Sequence, residues 1–419
     1  MASQPELARR LALRDAVIIG LGAMIGAGVF AAPGPAAAAG GTWMLLGLVI
    51  ASAVAYANAT SSAELAAMYP ESGGTYVYAR KRLNNYWGFL AGWGFVVGKI
   101  ASLAAMALTF GAYVYPPLAR PLGIAVVIVL TAVNYRGVEK TAHLTRIIVI
   151  LVLTALATVV LASLVGSDPS PSRLDSEMPN GLLGVLQSAG LLFFAFAGYA
   201  RLATLGEEVR DPSVTIPRAI PLALGITVTV YAAVLGTALL AVGPETLAKA
   251  PAPLVAAVEA GSLDLVAPVV RVGGAIAAGG VLVSLLAGVS RTTLSMARRR
   301  ELPGFLAAVH PKFRTPYRAE VVTAAIVIVI VLVADVRGAI GFSSFAVLTY
   351  YAIANASAWT LAPRERRWPR WLAGFGLLGC AILAATLPIE AVVGGGLLLI
   401  AGSVIWYATR RARASPEGS

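Results

Sequence analysis

The chain is 419 residues long, 58% hydrophobic and only 12% charged, with a mean hydropathy of +0.81; its apolar residues fall in runs long enough to cross a bilayer, which excludes a soluble domain and predicts a polytopic membrane protein. The formal charge of +12 would suggest nucleic acid in a soluble protein, but the cations gather in short connections, where they set membrane orientation, so a lipid bilayer and not nucleic acid is the implied partner. One cysteine, Cys380, and two separated histidines, His143 and His310, allow no intrachain disulfide and no ligand cluster, so neither metal nor cofactor is expected.

A polar, basic start with Arg9, Arg10 and Arg14 precedes a first apolar run too long for the core of a cleavable signal, so the tail 1–14 is expected to stay in the cytoplasm. The hydropathy pattern predicts twelve spans, at 15–39, 42–66, 86–115, 121–136, 141–166, 181–206, 218–242, 266–297, 319–335, 341–361, 369–387 and 389–409. Counted from the inside, one side of the membrane collects Arg80, Lys81, Arg82, Arg136, Lys140, Arg210, Arg218, the cations of 298–318 and 364–370, and those of 410–413. The other side holds only Arg120, Arg173, Lys249, Arg271 and Arg337. That asymmetry fits an even number of spans and predicts both termini on the cytoplasmic side of the plasma membrane. The external connections 166–180 and 243–265 are rich in Pro, Ser and acids and give no sign of a folded soluble domain. Residues 410–419 form a cytoplasmic tail, polar and disordered after Arg413.

The first span carries GLGAMIGAGVFAAPGP over 20–35, nearly pure glycine and alanine at its middle. Each of Gly22, Gly26 and Gly28 weakens a helix by about 1 kcal/mol relative to alanine, so this helix is expected to break. It has a counterpart at the start of the second group of five spans: SAGLLFFAFAGYARLATLG, 188–206, sets Gly190, Gly198 and Gly206 among Phe193, Phe194 and Phe196. Two interrupted segments in corresponding positions point to an inverted-repeat transporter with its site at the midplane. The expected fold is an all-α integral membrane protein of about 12 helices: a core over 15–361 whose inverted repeats, 15–166 and 181–361, break at helices 1 and 6, with two peripheral helices at 369–409. Small residues that merely let helices approach closely are the plainer reading of one such span, but the matching pair argues against it.

GAMIGAGVF in span 1, FFAFAGYARLATLGEEVRDPSVTIPRAI over 193–220 and SRTTLSMARRRELPGFLAAVHPKFRTPYRAE over 290–320 resemble, in order, the signatures of the amino acid, polyamine and organocation transporter superfamily. The resemblance covers most of the chain and implies the fold of the sodium-coupled leucine transporter. The chemistry of the motif is independent of the name. A break near Ile25, Gly26, Ala27 and Gly28 frees N–H groups at the positive end of a half-helix, where an α-carboxylate can sit, and unwound carbonyls can accept an α-ammonium. The resemblance implies carboxylate contacts at Ala27 and Gly28, ammonium contacts at Met24, Phe194 and Ala197, and an aromatic gate at Phe194; Ile25, Gly26, Phe196, Gly198 and Tyr199 complete the expected substrate site. The family often places a hydroxyl where Ala27 stands, so the carboxylate here would rely on N–H groups alone.

Lys99 is the most informative charge. It lies about twelve residues beyond Trp87 and fourteen before Tyr113, close to 18 Å from either end of its helix and too deep to snorkel. A lysine at that depth faces the bundle interior and has a role, or else is a permanently bonded strut. By resemblance it stands where a family member that exchanges arginine for agmatine has a polar substrate-site residue. Burial disfavours the charged amine, and a lysine that can lose its proton can couple transport to a proton gradient. A sodium site would want two hydroxyls on span 8, where only Ser284 stands, between Val283 and Leu285; the lysine that some family members carry in span 5 is absent, with Val152 at its place. Arg201, Glu207 and Glu208 are expected at the inner gate; Arg291 is expected to snorkel.

The resulting expectation is a secondary active transporter of amino acids, working by alternating access and driven by protons, with amino acid or amine exchange as the alternative mode. A membrane enzyme would need a nucleophile and base, or paired acids facing one cavity, and none is apparent. A nutrient receptor would share the site but not the cycle.

Overall fold

The computed structural model describes residues 11–69, 73–137, 142–167, 169–174, 179–199, 202 and 209–414, and among these every regular element is helical. Helix α1, Leu13–Met24, ends at Ile25, whose ψ of 59° turns the chain out of the helix. The helix resumes as α2, Gly28–Ala31, and α3, Pro33–Gly40, the latter opened by a proline at its first position, where no N–H is needed. Next come α4, Met44–Met68, the short α5, Thr75–Arg82, the long α6, Asn85–Val114, then α7, Ala119–Tyr135, and α8, Ala142–Leu161. Asn84 caps α6 by accepting from the Trp87 N–H at 3.1 Å.

The second group opens with α9, Gly181–Phe196, which tightens into a 3₁₀ turn over Ala197–Tyr199. It continues with α10, Pro212–Lys249, kinked at Gly243 (φ 72°), α11, Pro253–Glu259, α12, Ala267–Arg298, α13, Tyr317–Val333, and α14, Val336–Trp359. Two further helices, α15, Arg370–Ala385, and α16, Ile389–Ala414, close the chain. The first interruption therefore falls where the glycine pattern places it, and the second glycine-rich segment leaves the α-helix at Phe196; 200–201 and 203–208 lie outside the described residues.

Ten of these helical segments, some continuing across a turn, are long and apolar enough to cross a membrane. The predicted spans 319–335 and 369–387 correspond to α13 and α15, which at 17 and 16 residues sit at the short limit for a bilayer. The chain is a multi-pass membrane protein.

One reading gains detail and one changes. The connection 243–265, expected to hold no folded soluble domain, continues α10 to Lys249 and then forms the short α11, whose Leu254, Val255, Ala257 and Val258 are buried. Its PLVAAVE sequence starts on a helix-compatible proline and is almost wholly apolar, so it gains more from docking than from solvent. The last helix runs on to Ala414, past the predicted end of the span at 409 and of the ordered chain at Arg413.

At the end predicted to face the cytoplasm, Glu301 is fully buried in the connection after α12 and accepts from the Tyr76 hydroxyl at 2.7 Å and from Arg80. Burial first, and then the bond to Glu301, hold the Tyr76 phenol well above its ordinary range, so it stays a neutral donor. Arg299 adds its guanidinium over the Tyr76 ring at 5.6 Å. Removing the carboxylate strands the buried Tyr76 hydroxyl and the part-buried Arg80 guanidinium, and losing one partner of a fully buried pair costs about 3–5 kcal/mol. Glu301→Ala is expected to unfold in detergent well below the wild-type temperature, with Glu301→Gln intermediate; equal thermal midpoints for all three proteins would remove this structural role.

Candidate substrate site

The two broken helices meet at the centre of the molecule and interlock through glycine. A Cβ built on Gly28 would lie 2.6 Å from the Ala195 Cα of α9, and one on Gly198 would lie 2.0 Å from the Ala23 carbonyl oxygen and 2.7 Å from the Met24 nitrogen. Real Cβ atoms do not approach so closely, so the contact requires glycine on both sides. Gly26 meets a side chain instead of main chain, with Val281 Cγ2 of α12 at 2.5 Å.

Breaking a helix inside a membrane strands main-chain groups, each costly to leave unpaired. Three buried tyrosines take up the carbonyls. Tyr231 of α10 donates from one hydroxyl toward both Met24 O, at 2.6 Å, and Ala195 O, at 3.0 Å, joining the two interruptions. Tyr351 of α14 donates to Ala197 O at 3.2 Å and stacks on Tyr199 with ring centres 4.8 Å apart. Tyr113 of α6 donates to Phe30 O at 3.0 Å and meets the Phe30 ring edge to face. The freed N–H groups of Gly26, Ala27 and Gly28 find no main-chain acceptor among the described residues.

Between the breaks lies a cavity of about 60 Å³. One wall is Ala23, Met24, Gly26, Ala27 and Gly28; the second is Phe194, Ala195, Ala197 and Gly198. The third comes from α6, which presents Lys99, Ser102 and Met106 at i, i+3 and i+7, a single helix face. Val281 and Leu285 of α12 close it. Lys99 is 7% exposed, and among the described residues nothing accepts a hydrogen bond from it. Ser102 Oγ lies 3.2 Å from Gly98 O, its own helix's carbonyl, and 2.6 Å from Ser343 Oγ on α14.

Of the residues expected at the site, Met24, Gly26, Ala27, Gly28, Lys99, Phe194, Ala197 and Gly198 line this cavity. Ile25, Phe196 and Tyr199 do not. Phe196 is fully buried against Tyr231, ring centres 5.1 Å apart, because two residues along a helix from Phe194 is a rotation of about 200°. Tyr199 faces Tyr351. Ser284 of α12 is exposed, donates to Gly280 O at 3.2 Å and is not among the cavity-lining residues. Arg201, Glu207 and Glu208 lie outside the described residues. Ser102, Met106, Tyr231 and Tyr351 went unnoticed in the sequence; only Ser102 and Met106 carried a signal, the helical spacing from Lys99.

The amino acid permease family model matches residues 11–409, almost the whole chain. The chain belongs to the amino acid permease family. The permease is 58% identical to an uncharacterized transporter of Mycobacterium tuberculosis, over 99% of this chain and 95% of that protein. It is 30% identical to a methylthioribose transporter of Bacillus subtilis over 75% of this chain and 72% of the relative, and 25% identical to a serine/threonine exchanger of the same organism over 98% of each. A permease of this family is a membrane transporter of small molecules.

Proposed function

We propose that this permease is a secondary active amino acid transporter of the cytoplasmic membrane, with both termini inside, that works by alternating access around the paired breaks. The observation that carries the reading is the cavity itself, walled by both interruptions and by Lys99. The N–H groups at Gly26, Ala27 and Gly28 receive the α-carboxylate. The carbonyl oxygens of Met24 and Ala197 each accept one tyrosine hydroxyl and keep a second lone pair for the α-ammonium. Phe194 closes over the bound head group. Main chain alone thus holds the part common to all amino acids, which leaves discrimination to the α6 face.

Lys99 is the coupling residue in this reading. Protonated, it loads with the substrate; neutral, it returns through the membrane without a buried unpaired charge. Uptake into proteoliposomes is expected to follow an imposed inward proton gradient, and Lys99→Gln is expected to abolish that dependence while leaving counterflow of label measurable. Unchanged gradient dependence in Lys99→Gln removes the coupling role. Obligatory exchange is the second reading, favoured by the full-length similarity to a serine/threonine exchanger; it requires uptake only when the vesicles are preloaded with substrate. Absence of counterflow for any amino acid would leave a receptor rather than a transporter.

A further inference from the structure

The α6 face of the cavity is a donor surface without an anion. Lys99 is buried at its wall, yet no charged group among the described residues stands beside it. The carboxylates that are buried among those residues, Glu64, Glu301 and Glu320, are committed elsewhere. Glu64 accepts the Arg367 and Trp368 N–H groups, both at 2.7 Å. Glu301 holds Tyr76 and Arg80, and Glu320 faces Asn134 and Arg291. Beside Lys99, three positions along the same helix face, the Ser102 hydroxyl lies 3.2 Å from Gly98 O and 2.6 Å from the Ser343 hydroxyl; with Ser343 as donor to it, Ser102 can turn its single proton from Gly98 O to a ligand carboxylate.

We propose that the substrate carries a carboxylate on its side chain, received by Lys99 and Ser102, so that the cavity takes a short acidic amino acid. The inference rests on the reading of the cavity as an amino acid site. With the α-carboxylate held at the first break, the anion that Lys99 lacks among the described residues is supplied by the other end of the ligand. The charge count closes: an acidic amino acid with a net charge of −1 and a protonated Lys99 enter the low-dielectric core as a neutral pair, which avoids the cost of an uncompensated buried ion. A neutral side chain would leave the ammonium stranded, and a cationic one would face it directly. The far wall favours a short side chain: Met106, Val281 and Leu285 stand around the apolar side of the cavity, so a carboxylate reaching beyond Lys99 and Ser102 would meet apolar groups that cannot pair with it.

The test titrates purified wild-type protein in detergent with L-aspartate, L-asparagine, L-leucine and agmatine, and follows counterflow of the same compounds in proteoliposomes. Aspartate is expected to bind at least tenfold more tightly than asparagine, its uncharged isostere. Lys99→Gln is expected to erase that preference while asparagine binding persists, and Ser102→Ala to reduce it. The wild-type ratio and Ser102→Ala decide the matter if Lys99→Gln does not fold. Asparagine or leucine binding as well as aspartate overturns the acidic assignment and leaves the amino acid transporter reading in place. Tight agmatine binding overturns it too. If no amino acid binds or exchanges, that reading falls and this inference falls with it.

Discussion

Gly198→Ala should bring substrate binding and uptake close to background. The added Cβ lands within 2.0 Å of the Ala23 carbonyl oxygen, 2.3 Å of its carbon and 2.7 Å of the Met24 nitrogen, all main chain of the other broken helix. A flexible side chain could swing aside; a backbone in a helix break cannot without moving the groups that line the cavity. Overpacking a filled core costs about 1–3 kcal/mol, and here the displaced atoms are those assigned to the ligand. An effect at the upper end corresponds to about a hundredfold loss of affinity. Gly225→Ala is the matched control, because nothing lies within 4 Å of a Cβ at that position. Equal binding by wild type and Gly198→Ala in the same detergent would mean that the breaks tolerate separation and do not hold the ligand between them.

Tyr231→Phe should weaken both stability and binding. Its single hydroxyl proton serves two stranded carbonyls, Met24 O and Ala195 O, and phenylalanine preserves the ring packing on Phe196 while withdrawing the donor. An interhelical hydrogen bond in a bilayer is worth about 0.6 kcal/mol on average, whereas a buried carbonyl left unpaired costs about 1–3 kcal/mol. With two acceptors abandoned, the larger figure should govern, and Tyr231→Phe should lower the thermal midpoint in detergent more than Tyr113→Phe, which abandons one carbonyl, Phe30 O, and a bond with the Leu254 main chain. The two proteins melting together would show that Tyr231 does not couple the breaks.

The contrast between these residues explains what the sequence could tell. The glycines of both interruptions were legible because a helix in lipid has no ordinary reason to carry them at such density, and the second run confirmed the first. Lys99 was legible because a charge at the centre of a span has few explanations. Tyr231 sits in an apolar run, TVTVYAAVL, where a tyrosine reads as one more large side chain. Its partners are main-chain carbonyls, which become available only once the helices have opened, so no pattern of side chains could name them. Phe196 misled in the opposite sense: proximity to Phe194 in sequence suggested a shared role, while the helix turned it onto Tyr231. The α11 helix was hidden for a third reason. Its seven residues are too few for a periodic pattern, and only burial against the core makes them a helix.

The reciprocal contacts of Gly28 on Ala195 and of Gly198 on Ala23 also limit how the protein can move. Two helices notched into each other's backbone at their weakest points, and pinned there by a shared tyrosine, cannot scissor apart without breaking both notches at once. They form a single spindle. In the alternating access proposed above, entry to the cavity from one face or the other would then come from the surrounding helices turning about that spindle, with the wall bearing Lys99 moving past the paired breaks.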